Sequence, residues 1–255
     1  KKIIIFTTKK NIMTRFLLFF VLVALVGCTT TRIKNESYTI SDTAPELGSV
    51  GFSKLGGRAS TEFEVRTLPK LEAPIRIAIE VVPFNKRLHK IYKTKAKYNQ
   101  DQSQVTYVDS LPKKPELVTI RILDVMKMVS EINGEHNKEL VRFLTDSQKS
   151  QIVTSLAYCF SQEDITKIKQ ADAFYLTNYQ ESKYAISLYK LGKKTETLFV
   201  NSLNVLAYRL SKFCWGANER GQWYVSDIID VKTRCKGKTK KRISEKERQD
   251  NLFDL

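Results

Sequence analysis

Histidine, the side chain best suited to proton transfer near neutral pH, occurs only at His89 and His136. His136 lies in Glu131-Ile-Asn-Gly-Glu135-His136-Asn-Lys-Glu139, which gathers three carboxylates and an imidazole. A metal needs three or four such groups to converge, and a polar helix-to-helix connection has the same composition. The connection is the preferred reading, so no metal ligand and no cofactor site is assigned. Two indoles, Trp215 and Trp223, bracket Asn218, Glu219, Arg220 and Gln222. Trp215, Arg220 and Trp223 form a candidate ligand platform, since stacking beside polar groups suits a sugar ring. The plainer alternative is a cross-strand Trp pair clamping a hairpin, worth up to about 1 kcal/mol. Lys86, Arg87, Lys90, Lys93, Lys95 and Lys97 are candidate anion-binding residues, in a stretch without an acid between Glu80 and Asp101. A second basic stretch, Lys232 to Arg242, holds seven cations in eleven residues. Anionic lipid or acidic polysaccharide is the expected partner. Nucleic acid is not, because only Tyr92 and Tyr98 interleave the first stretch.

Four cysteines occur. Cys28 follows an apolar run of eleven residues, Phe16 to Val26, and Gly27. At about 1.5 Å per residue this run is too short for a bilayer core of roughly 30 Å, and it has the length of a signal-peptide core. Lys9, Lys10 and Arg15 supply a positive flank, and no acid precedes Glu36. Leu25-Val26-Gly27-Cys28 resembles the lipobox of bacterial lipoproteins, in which the Cys thiol is diacylated before cleavage. The resemblance implies that residues 1–27 are a signal peptide and that Cys28 becomes the acylated N-terminus, with palmitate among its chains. It also implies attachment to a cell-envelope membrane, with the periplasmic face of an outer membrane as the expected location. Met13-Thr14-Arg15 reads as the start of translation, with residues 1–12 upstream of it. Removing residues 1–27 takes away five cations and no acid, which lowers the net charge from +16 to +11.

Cys159, Cys214 and Cys235 then remain, and no C-x-x-C pair suggests zinc or thioredoxin-like chemistry. Cys214 and Cys235 border the last expected hairpin and are the candidate disulfide. Cys159 has apolar neighbours and is expected to be buried. Ser187-Leu-Tyr-Lys190, followed by Ser202-Leu-Asn204, resembles the S-x-x-K and S-x-N elements of penicillin-binding proteins. That family's Ser opens a helix, whereas here a strand pattern points Ser187 and Lys190 to opposite faces, and no K-T-G strand follows. No catalytic residue is assigned.

The elements that position these residues follow from periodicity. Ile75, Ile77, Ile79 and Val81 alternate as a strand does, and so do Val118, Ile120 and Ile122. Val125, Met128, Val129 and Ile132 predict a helix that stops at Asn133-Gly134. Leu140, Phe143 and Leu144 predict another, and Thr145 with Gln148 has capping-box spacing for a further one. Ile152 to Phe160 reads as β, and Ser161 caps a helix carrying Ile165 and Ile168. Five strands follow, at 173–179, 183–191, 196–201, 205–215 and 223–232, joined by short connections that favour an antiparallel meander.

The expected fold is therefore α+β: one domain over 73–235, with short helices packed on a mainly antiparallel sheet that ends in a β-meander. Residues 28–72, rich in Thr, Ser and Gly, read as a tether, although Phe52, Leu55, Phe63 and Val65 suit an added strand. Residues 236–255 read as a charged, solvated tail. The functional expectation is a lipid-anchored envelope protein acting as a non-catalytic binding or assembly module with a basic face. A hydrolase of cell-wall polymer and a structural subunit bound to other envelope proteins are the alternatives.

Overall fold

A computed structural model describes residues 30–40, 45–55, 61–96, 115–147, 149–180, 183–200 and 204–244. Cys28 and the lipobox lie outside the described residues. Among the described residues twelve antiparallel strands run β1 (Thr30–Ile33), β2 (Glu36–Thr39), β3 (Val50–Leu55), β4 (Thr61–Thr67), β5 (Ile75–Pro83), β6 (Glu116–Ile122), β7 (Gln151–Tyr158), β8 (Ala173–Gln180), β9 (Lys183–Lys190), β10 (Lys193–Phe199), β11 (Val205–Ala217) and β12 (Trp223–Asp230). The helices are α1 (Lys86–Ala96), α2 (Val125–Ile132), α3 (Lys138–Asp146) and α4 (Gln162–Gln170). Among the described residues no helix is long and apolar enough to cross a membrane.

Spatially the strands are ordered β1-β2-β11-β7-β6-β5-β8-β9-β10, with β12 on β11, β3 on β7 and β4 on β3. Thus β8, β9 and β10 make a meander at one edge, and β11 then crosses to pair with β7. The central strands are covered on both faces. Val118, Ile120 and Ile122 belong to the main core with Met128 and Ile132 of α2, Leu144 of α3 and Ile165 of α4. Leu117, one residue out of phase and so on the other face, joins Leu88 and Tyr92 of α1 in a smaller cluster.

Local chemistry sets the helix ends. The Asp124 carboxylate accepts from the Lys127 amide to start α2, and the Ser161 hydroxyl accepts from the Asp164 amide to start α4. The carboxamide of Asn133, at the end of α2, donates to the Val225 carbonyl at 2.7 Å and accepts from the Val225 amide at 3.0 Å. This residue therefore stitches α2 to β12 as well as ending the helix. The capping box expected at Thr145 starts no helix: Thr145 is in the last turn of α3, and its hydroxyl donates to the Arg142 carbonyl.

Two boundaries differ from the sequence reading. The described residues between 30 and 67 are no tether: they supply β1 to β4, and Leu47, Val50 and Phe63 enter the main core. Thr suits strands, and one inward face in two suffices for burial, so a low apolar density misleads. Gly51 is required where β3 meets β4, because a Cβ there would lie 2.0 Å from the Glu64 carbonyl oxygen. The second difference is the segment 236–244. It is docked, with Lys240 exchanging both backbone bonds with Trp215 at 2.8 Å and Ile243 in the main core at 2% exposure.

Candidate anion-contacting surface

The first basic stretch folds as α1. The Asn85 side chain accepts from the Leu88 amide at 2.9 Å and caps the helix. Leu88, Ile91 and Tyr92, at helical spacing, then meet Phe84 in the smaller apolar cluster. Phe84 sits edge-on to Tyr92, with ring centres 6.1 Å apart. Burying that stripe turns Lys86, Arg87, Lys90 and Lys93 outward, and all four are exposed. Among the described residues no carboxylate comes within ion-pair reach of Lys86, Arg87 or Lys93. The Lys95 side chain and all of Lys97 lie outside the described residues.

Lys86 and Arg87 also occupy the first turn of α1, which holds no acid. The partial positive charge of a helix N-terminus disfavours cations there by about 0.3–1 kcal/mol each. Among the described residues no carboxylate offsets this cost.

The other sequence candidates resolve as structure. Glu131 is buried at 4% exposure and accepts from the Glu72 amide at 2.7 Å, while Lys127 pairs with its other oxygen at 3.0 Å. Burial pushes its carboxyl up, but the Glu72 amide, Lys127 and the Ala73 amide outweigh it and hold the group below its ordinary value. His136 places Nδ1 3.1 Å from Glu72 and Nε2 3.5 Å from Glu131. Asn137 accepts from the Lys70 amide and donates to the Lys70 and Glu131 carbonyls. These groups tie the 69–73 segment to α2, and among the described residues no cluster has the makings of a metal site.

Ser187 is buried in β9 beside the Thr177 hydroxyl at 3.2 Å, whereas Lys190 is exposed at the strand end, so the two do not meet. The proposed ligand platform is also dispersed. Trp215 is 2% exposed and opposes Val225, while Trp223 opposes Ala217, so the indoles are not paired. Lys240 lies 5.7 Å over the Trp223 ring, and Arg220 sits in the turn with its amide bonded to the Asn218 side chain. Cys214 and Cys235 are joined in a disulfide that ties β11 to the tail, and Cys159 is a buried thiol in the cluster beneath α1.

The two basic stretches do not share a face. The cluster beneath α1 takes Ala157 and Cys159 at the end of β7 and Leu206 and Ala207 at the start of β11. The docked tail meets β11 at Trp215. From Leu206 to Trp215 is about 30 Å at roughly 3.3 Å per residue. No family model matches the chain, and no curated protein or solved structure matches it.

Proposed function

We propose that the protein is a lipid-anchored cell-envelope module that binds rather than catalyses, and that α1 is its contact with anionic lipid. One observation carries this reading: a helix with four outward cations and no acid covers the end of the sheet at which the N-terminal strand enters. Thr30 pairs with Thr39, and Thr39 faces Tyr208 near the start of β11, the end that α1 covers. Ile33, Tyr38 and Ile40 of the β1–β2 hairpin pack in the same cluster as Leu88 and Tyr92. Cys28 precedes Thr30 by two residues, a reach of about 7 Å at most. An acyl anchor on Cys28 therefore holds the α1 end of the sheet, with no tether between them, against the surface its cations attract.

Each Lys or Arg close to an anionic surface contributes roughly 1 kcal/mol. Four of them supplement the acyl chains and fix the orientation of the domain, which the chains alone do not. The test uses the chain lacking residues 1–29, so that adsorption depends on the folded part. It should sediment with phosphatidylglycerol vesicles at low ionic strength and release near 0.5 M salt, where the screening length falls to about 4 Å. Combined Lys86→Glu, Arg87→Glu and Lys93→Glu should abolish adsorption. Equal binding to neutral vesicles, or indifference to salt, contradicts the proposal and favours the assembly-subunit alternative.

A further inference from the structure

We infer that the protein carries a second, discrete site for a phosphate-type oxyanion, in the groove where the C-terminal tail closes against β11. The groove encloses about 160 Å³. Lys149 from the α3–β7 connection, Lys212 from β11, and Lys241 and Arg242 from the tail line it, above a floor that includes Phe213 and Trp215. Among the described residues no carboxylate lines it. A shallower depression adjoins it, shares Lys149 and Arg242, and contains Asp146.

Within the fold the four cations are under-used. Lys212 donates to the Val231 carbonyl at 3.0 Å, which engages one of its three N–H groups. Among the described residues no carboxylate comes within ion-pair reach of Lys149, Lys241 or Arg242. The rim is also held in place. The Cys214–Cys235 disulfide, the Trp215–Lys240 backbone pair and the burial of Ile243 fix the tail at three points, and Lys241 and Arg242 lie between the last two.

Like charges held at one depression repel, and an anion of matching charge relieves the repulsion. Two features favour phosphate over carboxylate. Its two charges and several oxygens engage more of the four cations, and the planar Arg fork binds two phosphate oxygens at once while ammonium groups add point charges. The tail backbone is held before binding, so the ordering cost falls on the side chains alone. This site is independent of the α1 contact, from which it is separated along β11.

The test is calorimetric titration of the full-length chain in neutral detergent at low ionic strength, with inorganic phosphate, a hexose phosphate, a short-chain phosphatidate and acetate. Phosphate should bind saturably with one site per chain. Combined Lys241→Glu and Arg242→Glu should weaken it at least tenfold. Lys149→Gln should weaken it several-fold from a different segment, so that a loosened tail does not explain the loss. Lys86→Glu with Lys93→Glu, which act on the α1 contact, should leave the affinity for inorganic phosphate unchanged. Saturation by the hexose phosphate marks a sugar-phosphate source, and saturation by the phosphatidate a lipid one. Acetate binding as tightly as phosphate, heat linear in added phosphate, or affinity unchanged in the groove variants overturns the inference.

Discussion

The two ends of β11 gather positive charge in opposite ways. At its start, four exposed cations come from one continuous helix, presented by an apolar stripe that faces the sheet. Around Trp215, four cations come from three segments far apart in sequence, two of them on a tail tied down by a disulfide and a backbone pair. The first arrangement is an exposed helix face, which would suit an extended partner. The second is a bounded depression suited to a small ion. Basic composition along the chain thus says little about the shape in which cations are presented; the way the segments are held decides it.

Perturbing each end separately sharpens this contrast. Phe84→Ala should have the largest effect, since Phe84 is 1% exposed beneath α1. Truncating a buried aromatic costs about 4 kcal/mol, so urea denaturation should show a loss of that size, and vesicle adsorption should fall while phosphate binding persists. Removing the disulfide by Cys214→Ser with Cys235→Ser opens a link of sequence separation 21. This should cost roughly 3 kcal/mol in the same assay and reverse the pattern, with phosphate binding weakened and adsorption through α1 kept. Asn133→Ala leaves the amide and carbonyl of Val225 without their side-chain partner. A loss of about 2 kcal/mol is expected, with neither binding activity changed at temperatures where the protein is folded.

The smallest effect is on pH dependence. Because the folded state holds the Glu131 carboxyl below its ordinary value of 4.5, its contribution is present above that pH and lost as pH falls through the folded value. Glu131→Gln should therefore flatten the acid limb of stability against pH. An unchanged acid limb would remove Glu131 from the account.

Much of the sheet was legible because its strands announce themselves by alternation. The strands 75–81 and 118–122, the helix at Val125 to Ile132 and the cap at Ser161 appear within about two residues of their positions read from periodicity. What was not legible was either masked by composition or non-local. The lysines of α1 hid the Leu88-Ile91-Tyr92 spacing and the Asn85 cap, both present in the sequence as helix signals. Thr- and Ser-rich strands passed for a tether, although Ile33, Tyr38 and Phe63 carry their inward faces. Lys149 and Lys212 offer no local signal, since only the pairing of Gln151 with Lys212 brings β7 and β11 together at the groove. Asn133 read as a helix stop, and its second role with Val225 spans 92 residues.

The proposed function turns on the α1 end facing the membrane to which Cys28 would be anchored, with the groove end facing away. Fluorophores placed singly on cysteines introduced at Arg87 and at Arg242, in the acylated full-length protein on anionic vesicles, test it through quenching by head-group nitroxide lipids. The account predicts strong quenching at position 87 and little at position 242, with the difference lost after charge reversal of α1. Equal quenching at both positions, or stronger quenching at 242, would contradict it.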